Sequence, residues 1–337
     1  MSAKKLHVSV ILVLLIVGVT LQASIFQVPL ISAQPVVVTP RRFNEVIASL
    51  DKTLFQQEVE LLSKESRFTG YPGFFKAANY IAQVFRENGI PPYGQDYFEW
   101  FNVTVPIVKQ AWLITETGRN ITLHPFYPNL VNPSQYVSDD WDTLIYVGKG
   151  DLKDFDGKDV KGKFVLMDYG SGWNYYNALM LGAKGVIFIP EDPSSVDRPE
   201  SELKLTLLPV NFPKLYLPPD EKSLELLELC KRAGASGIKV KIHSIVEWEN
   251  VRVPNVVGFV KGADPARSQK IVVVAAYYDS FCAIPSLAYG ATDALGVVTL
   301  LHFARFLAKN PPSYSVMLVA LAGHYQGLWG AREFVER

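Results

Sequence analysis

The sequence predicts an α/β protein built on a partial doubly wound mixed sheet, with a second, smaller α/β unit inserted into it. Three observations carry that expectation. Residues 271–276 and 316–322 are continuous apolar runs, which read as strands buried on both faces beneath helices. Between them, apolar residues from Val297 to Leu307 recur at helical spacing, so a helix joins the two strands. Residues 129–253 have another texture, with short strand-like runs separated by Gly and Pro turns.

Lys4 and Lys5 precede an apolar run over 8–21 and small residues near Ala23 and Ser32-Ala33, the pattern of a secretory signal peptide. Gln22, Ser24, Gln27 and Pro29 interrupt the stretch, so residues 1–33 read as a cleaved leader or an uncleaved membrane anchor. Either form places the protein outside the cell or on its surface. The sequons at Asn102 and Asn120 are consistent with that. Equal counts of 33 basic and 33 acidic residues leave no excess charge for displacing counterions from phosphates, which argues against nucleic acid as a partner.

Phe43, Val46, Ile47, Leu50, Leu54, Val59 and Leu62 suggest a helix. After a turn with Arg67, Thr69, Gly70 and Gly73 comes an amphipathic helix through Ala77, Ala78, Ile81, Ala82 and Phe85. Gly89, Pro91 and Pro92 end it. Residues 97–104 and 109–115 read as two strands that complete a first segment, 40–125. In 126–252, strands are expected at 143–147, 163–167, 185–189 and 239–242, and a leucine-rich helix spans 223–229. Pro254 opens the last segment, 253–337, with strands from 256 and 271 and a final helix over 328–335. Cys230 and Cys282 are either a disulfide or two unrelated thiols, since spacing alone does not bring them together. His124 and His243 read as surface or satisfied histidines, and His302 stands out only by its place on the helix after Asp293.

Polar residues collect where each strand of the 271–327 stretch gives way to a loop, the edge at which open α/β sheets bind ligands. The first strand ends in Tyr277, Tyr278, Asp279 and Ser280, and Gly290-Ala-Thr-Asp293 opens the helix. The second ends in Gly323, His324, Tyr325, Gln326 and Gly327, with Gly330-Ala-Arg-Glu-Phe334 beyond. This order resembles the start of the co-catalytic zinc exopeptidases, a family that includes zinc aminopeptidases, glutamate carboxypeptidase and the zinc-free transferrin receptor. The Arg67 turn and its helix resemble the first helices of that family. Val160-Lys-Gly-Lys163, Asn177-Ala178 and Gly182-Ala-Lys-Gly185 resemble a protease-associated domain, a small insert that covers the site, binds partners or acts as a spacer.

The resemblance implies metal positions at Asp293, which matches the zinc-bridging Asp, and at Asp279, which matches the Asp of His-x-Asp. Tyr277 stands where the family has its zinc-binding His, His324 where it has the general base, and Tyr325 where it has a ligand Glu. A neutral phenol is a poor ligand at pH 7, because its pKa is about 10. Family members also carry a further Asp and a late His ligand, whereas only about 80 residues follow Pro254, so the sheet domain is expected to lack its carboxy-terminal part.

These features lead to one main reading, an exported exopeptidase scaffold for a peptide or protein partner, catalytically impaired and weak or inactive, with zinc as the metal if any is bound. One alternative is an active aminopeptidase- or carboxypeptidase-type hydrolase in which Asp279 and Asp293 hold one ion and His324 acts as base. The other is an unrelated extracellular binding protein without catalysis.

Overall fold

The computed structural model describes residues 47–48, 50–190 and 198–336. The leader or anchor expected at 1–33, and the start of the helix expected from Phe43, lie outside them. Helix α1 (Lys52–Leu62) starts at Asp51, whose carboxylate accepts the Leu54 N–H at 3.0 Å. Helix α2 (Pro72–Glu87) has Pro at its first position, where no amide is needed, and buries Phe74, Ala77, Ala78, Ile81 and Phe85.

One mixed sheet runs through the molecule. Its backbone is a long antiparallel pair, β1 (Phe98–Thr115) and β9 (Ile238–Val260), in register from Phe98 opposite Val256 to Thr115 opposite Val240. β1 is continuous where two strands were expected. Pro106 lies within it opposite Trp248, and the only break in register is a bulge between Val108 and Gln110. β1 pairs on its other side only with β2 (Asn120–Thr122), at residues 112–114, so the amide missing at Pro106 costs no ladder bond. The runs 239–242 and 256–260, expected as separate strands, are the two ends of β9.

The carboxyl end of β9 pairs with β11 (Ser315–Leu321), which pairs in parallel with β10 (Ile271–Tyr277). Alternate residues split between two faces. Val256, Val316, Leu318 and Ala320 join α1, α2 and α6 (Ala291–Lys309) in the largest core. Val257, Met317 and Val319 meet Phe334 of α7 (Trp329–Glu336) on the other face. β11 is almost wholly buried, whereas β10 is half-buried. The expectation of two-sided burial for 271–276 is therefore corrected: β10 is the outermost strand and has one neighbour in the sheet.

The amino end of β9 leads into the second lobe. There β5 (Asp142–Tyr146), β6 (Phe164–Asp168), β7 (Gly185–Ile189) and β8 (Lys214–Tyr216) run parallel, and β8 pairs with β3 (His124–Pro125). A two-residue strand, β4 (Tyr136–Val137), pairs with β9. β6 and β7 are buried on both faces between α3 (Tyr175–Met180) and α5 (Glu221–Ala233). A short helix, α4 (Arg198–Leu203), precedes the loop into β8. Cys230 lies in the α5 core and Cys282 packs beside the α3 core, both as free thiols.

Candidate functional site

The site forms where the turn 66–70 meets the loops that follow β10 and β11. Arg67, wholly buried, is the hub. Its guanidinium donates to the carbonyls of Tyr278 at 3.0 Å, Tyr289 at 2.7 Å, Gly290 at 2.8 Å and Leu62. Its backbone N–H donates to Ala288 O, and its carbonyl accepts from Ser280 N–H, both at 3.1 Å. Burial lowers the Arg67 pKa, and the nearby charges of Asp293 and Asp279 oppose that shift. Tyr278 fixes the floor, with its hydroxyl donating to Pro254 O at 2.6 Å and its ring stacked on Phe74 at 4.7 Å.

Asp279 is wholly buried. Its Oδ2 accepts the His324 N–H at 2.9 Å and lies 2.9 Å from Thr69 Oγ1, while Oδ1 has no hydrogen-bond partner among the described residues. Burial pushes its pKa up to about 7, against the hydrogen bonds from Thr69 and His324. Thr69 Oγ1 also lies 2.7 Å from Gln326 Oε1. One hydroxyl proton cannot serve both oxygens, so the second bond takes its proton from the Asp279 carboxyl or from a turned Gln326 amide.

Asp293 sits in the first turn of α6, where the helix dipole favours a carboxylate. Its Oδ1 accepts the Tyr325 hydroxyl at 2.7 Å, and its Oδ2 accepts the Phe281 N–H at 3.4 Å. Burial, then the bond to Asp293, raises the Tyr325 pKa far above the ordinary phenol value. Gly290 is required here: its φ is +56°, and a Cβ would come within 2.4 Å of Ser280 Cβ and 2.7 Å of Asp293 Oδ2.

The remaining positions make an aromatic cluster. The His324 ring lies flat on Tyr277, with centroids 4.0 Å apart and planes 14° apart. Tyr325 stands edge-on to Tyr277 at 5.8 Å and beside Phe281 at 5.3 Å. Burial lowers the His324 pKa, so its imidazole is neutral at pH 7.

All five positions expected from the sequence, Tyr277, Asp279, Asp293, His324 and Tyr325, therefore meet at one end of β10 and β11. Thr69, Phe281 and Gln326 join them without having been expected. Two of them had a sequence cue, Gln326 by its place in the polar run after 316–322 and Thr69 by its place in the Arg67 turn. His124 Nδ1 lies 2.9 Å from Ser286 Oγ, His243 stacks on Trp112 at 4.7 Å, and His302 lies in the α1–α6 contact.

A zinc ion needs three or four His, Cys or carboxylate donors converging on one point. Here both carboxylates are turned to hydroxyls and backbone amides, the flanking positions are phenols, and the one imidazole lies flat on a ring. Among the described residues no group of three or more His, Cys, Asp or Glu side chains converges. The donor set does not fit a two-zinc centre.

Residues 255–337 match peptidase family M28, in line with the resemblance to the co-catalytic zinc exopeptidases. A curated protein of Leptosphaeria maculans, described as a probable zinc metalloprotease, is 38% identical over 86 residues, which are 24% of this chain and 20% of that protein. Among solved structures, a peptidase M28 precursor from Shewanella amazonensis is similar with TM-score 0.54 at 16% identity, over 87% of this chain and 69% of that one. A zinc aminopeptidase from Bacillus subtilis is similar with TM-score 0.53 at 22% identity, over 84% of this chain and 64% of that one. The chain thus spans a fifth of the curated relative and about two thirds of the solved ones.

Proposed function

We propose that this chain is an exported exopeptidase scaffold that binds a peptide or protein and does not hydrolyse it at an appreciable rate. The observation that carries this reading is the fate of the metal and base positions. Tyr277, His324 and Tyr325 pack as rings on one another, and Asp279 Oδ2 and both Asp293 oxygens are taken up by internal hydrogen bonds. Hydrolysis by this class needs a metal-bound water and a base at the same point. Neither can form from two phenols and a stacked imidazole.

Residues 126–252 act in this reading as a protease-associated insert, which their parallel strands between two helices and the 160–185 motifs support. Export rests on the basic and apolar pattern of 1–33, and both sequon asparagines, Asn102 and Asn120, are exposed.

Incubating the full chain with aminoacyl nitroanilides and blocked peptides in the presence of zinc should give no turnover above buffer. Turnover abolished by a chelator and by Asp293→Ala would establish a working hydrolase instead.

A further inference from the structure

The second lobe contains a cation that the candidate site does not use. Lys214 on β8 is wholly buried, with its Nζ bonded to the Lys204 carbonyl and, at 2.8 Å, to Thr206 Oγ1. It stands 5.5 Å from the Tyr175 ring centroid and 5.9 Å from that of Phe126. An ammonium has three protons to place, and the pocket supplies two acceptors. A second wholly buried cation, Lys204, acts on it by repulsion, and the Lys204 ammonium is itself held by Glu200 and, at 2.8 Å, by Gly172 O. The other titratable groups facing this core are Tyr169 after β6, Tyr175 and Tyr176 on α3, Tyr216 on β8 and Cys282 from the site loop. Burial raises the pKa values of Tyr169, Tyr175 and Tyr216, which stay neutral. Among the described residues Lys214 thus has no carboxylate partner. The same core holds Ala283 and Ile284, with Cys282 and Leu287 packed against it, so it anchors the loop that follows Asp279.

We propose that Lys214 is a protonation switch of the second lobe, and that its ammonium form loosens the core that holds residues 282–287. Burial first, and then Lys204, pushes the Lys214 pKa down to about 7. An unfolded lysine keeps a value of about 10.4, so the native chain binds fewer protons between these limits and stability rises with pH across that window.

Lys214→Met keeps the length and removes the proton. Between pH 7 and about 9, the unfolding constant of the parent should fall about tenfold per pH unit relative to that variant. Parallel profiles would overturn the proposal. Titration of lysine side chains by NMR in the unaltered protein gives a second reading that does not depend on the variant folding. A Lys214 midpoint near neutrality supports the switch, and a midpoint at the ordinary lysine value refutes it. The gain in amide protection over 282–287 from pH 6 to pH 8, corrected for intrinsic rates, should be larger in the parent than in Lys214→Met, which keeps the titration of Asp279. Equal gains would disconnect the switch from the site loop.

Discussion

At the scale of single residues, the site is decided by which groups surround each carboxylate. Asp279 Oδ2 meets the His324 N–H and the Thr69 hydroxyl and Oδ1 has no partner among the described residues, so burial outweighs hydrogen bonding and its proton stays on up to about pH 7. Its folded pKa is raised above the unfolded one, so its contribution to stability is complete below about pH 4 and is lost as pH rises through 7. Asp279→Asn keeps the shape and cannot ionise. Relative to this variant, the parent should lose up to about 4 kcal/mol between pH 4 and pH 8, measured by urea unfolding. A difference independent of pH would show that Asp279 is not the group that titrates. The resemblance to the zinc exopeptidases picked out the five positions, since the motifs around 277–280, 290–293 and 323–327 are legible in the sequence. It did not show that Asp293 binds Tyr325 or that His324 lies flat on Tyr277, since those pairings depend on rotamers chosen by packing.

At the scale of elements, helix α6 is held by a buried polar cluster as well as by its apolar face. Glu58 on α1 is almost wholly buried and accepts both arms of Arg305, at 2.6 and 3.0 Å. The Tyr80 hydroxyl on α2 donates to it at 2.6 Å, and His302 Nε2 lies 3.1 Å away. One carboxylate thus ties three helices together and sets where Asp293 emerges at the amino end of α6. Glu58→Ala would leave a partly exposed guanidinium and the Tyr80 hydroxyl without their acceptor and should cost about 2 kcal/mol, read from the urea midpoint. A loss within the range of exposed ion pairs, under about 1 kcal/mol, would contradict that role. Glu58 was hidden in the sequence because it falls among the polar residues of an amphipathic pattern, and its charged partner Arg305 is 247 positions away. Elements with strong periodicity, such as α2, α6 and β7, were legible within a few residues. β1 reads as two strands, 97–104 and 109–115, whereas in the structure it runs unbroken through Pro106, beside which only β9 pairs.

At the scale of the whole molecule, β9 is the organising feature. Its 23 residues pair with β5 at one end and β11 at the other, so one strand enters the cores of both the peptidase-like sheet and the second lobe. No local pattern announced that continuity, since its two ends read as separate short strands with a polar stretch between them. The site loop 282–287 adds a second link, which is how the charge state of Lys214 can reach the candidate site. In the proposed function, the fold resembles that of solved M28 peptidases while the side chains at the metal positions do not hold zinc. Calorimetric titration of zinc into the full chain at neutral pH tests it directly: the arrangement of Asp279, Asp293 and the stacked rings predicts no saturable binding that depends on Asp293. Stoichiometric uptake that disappears in Asp293→Ala would contradict it.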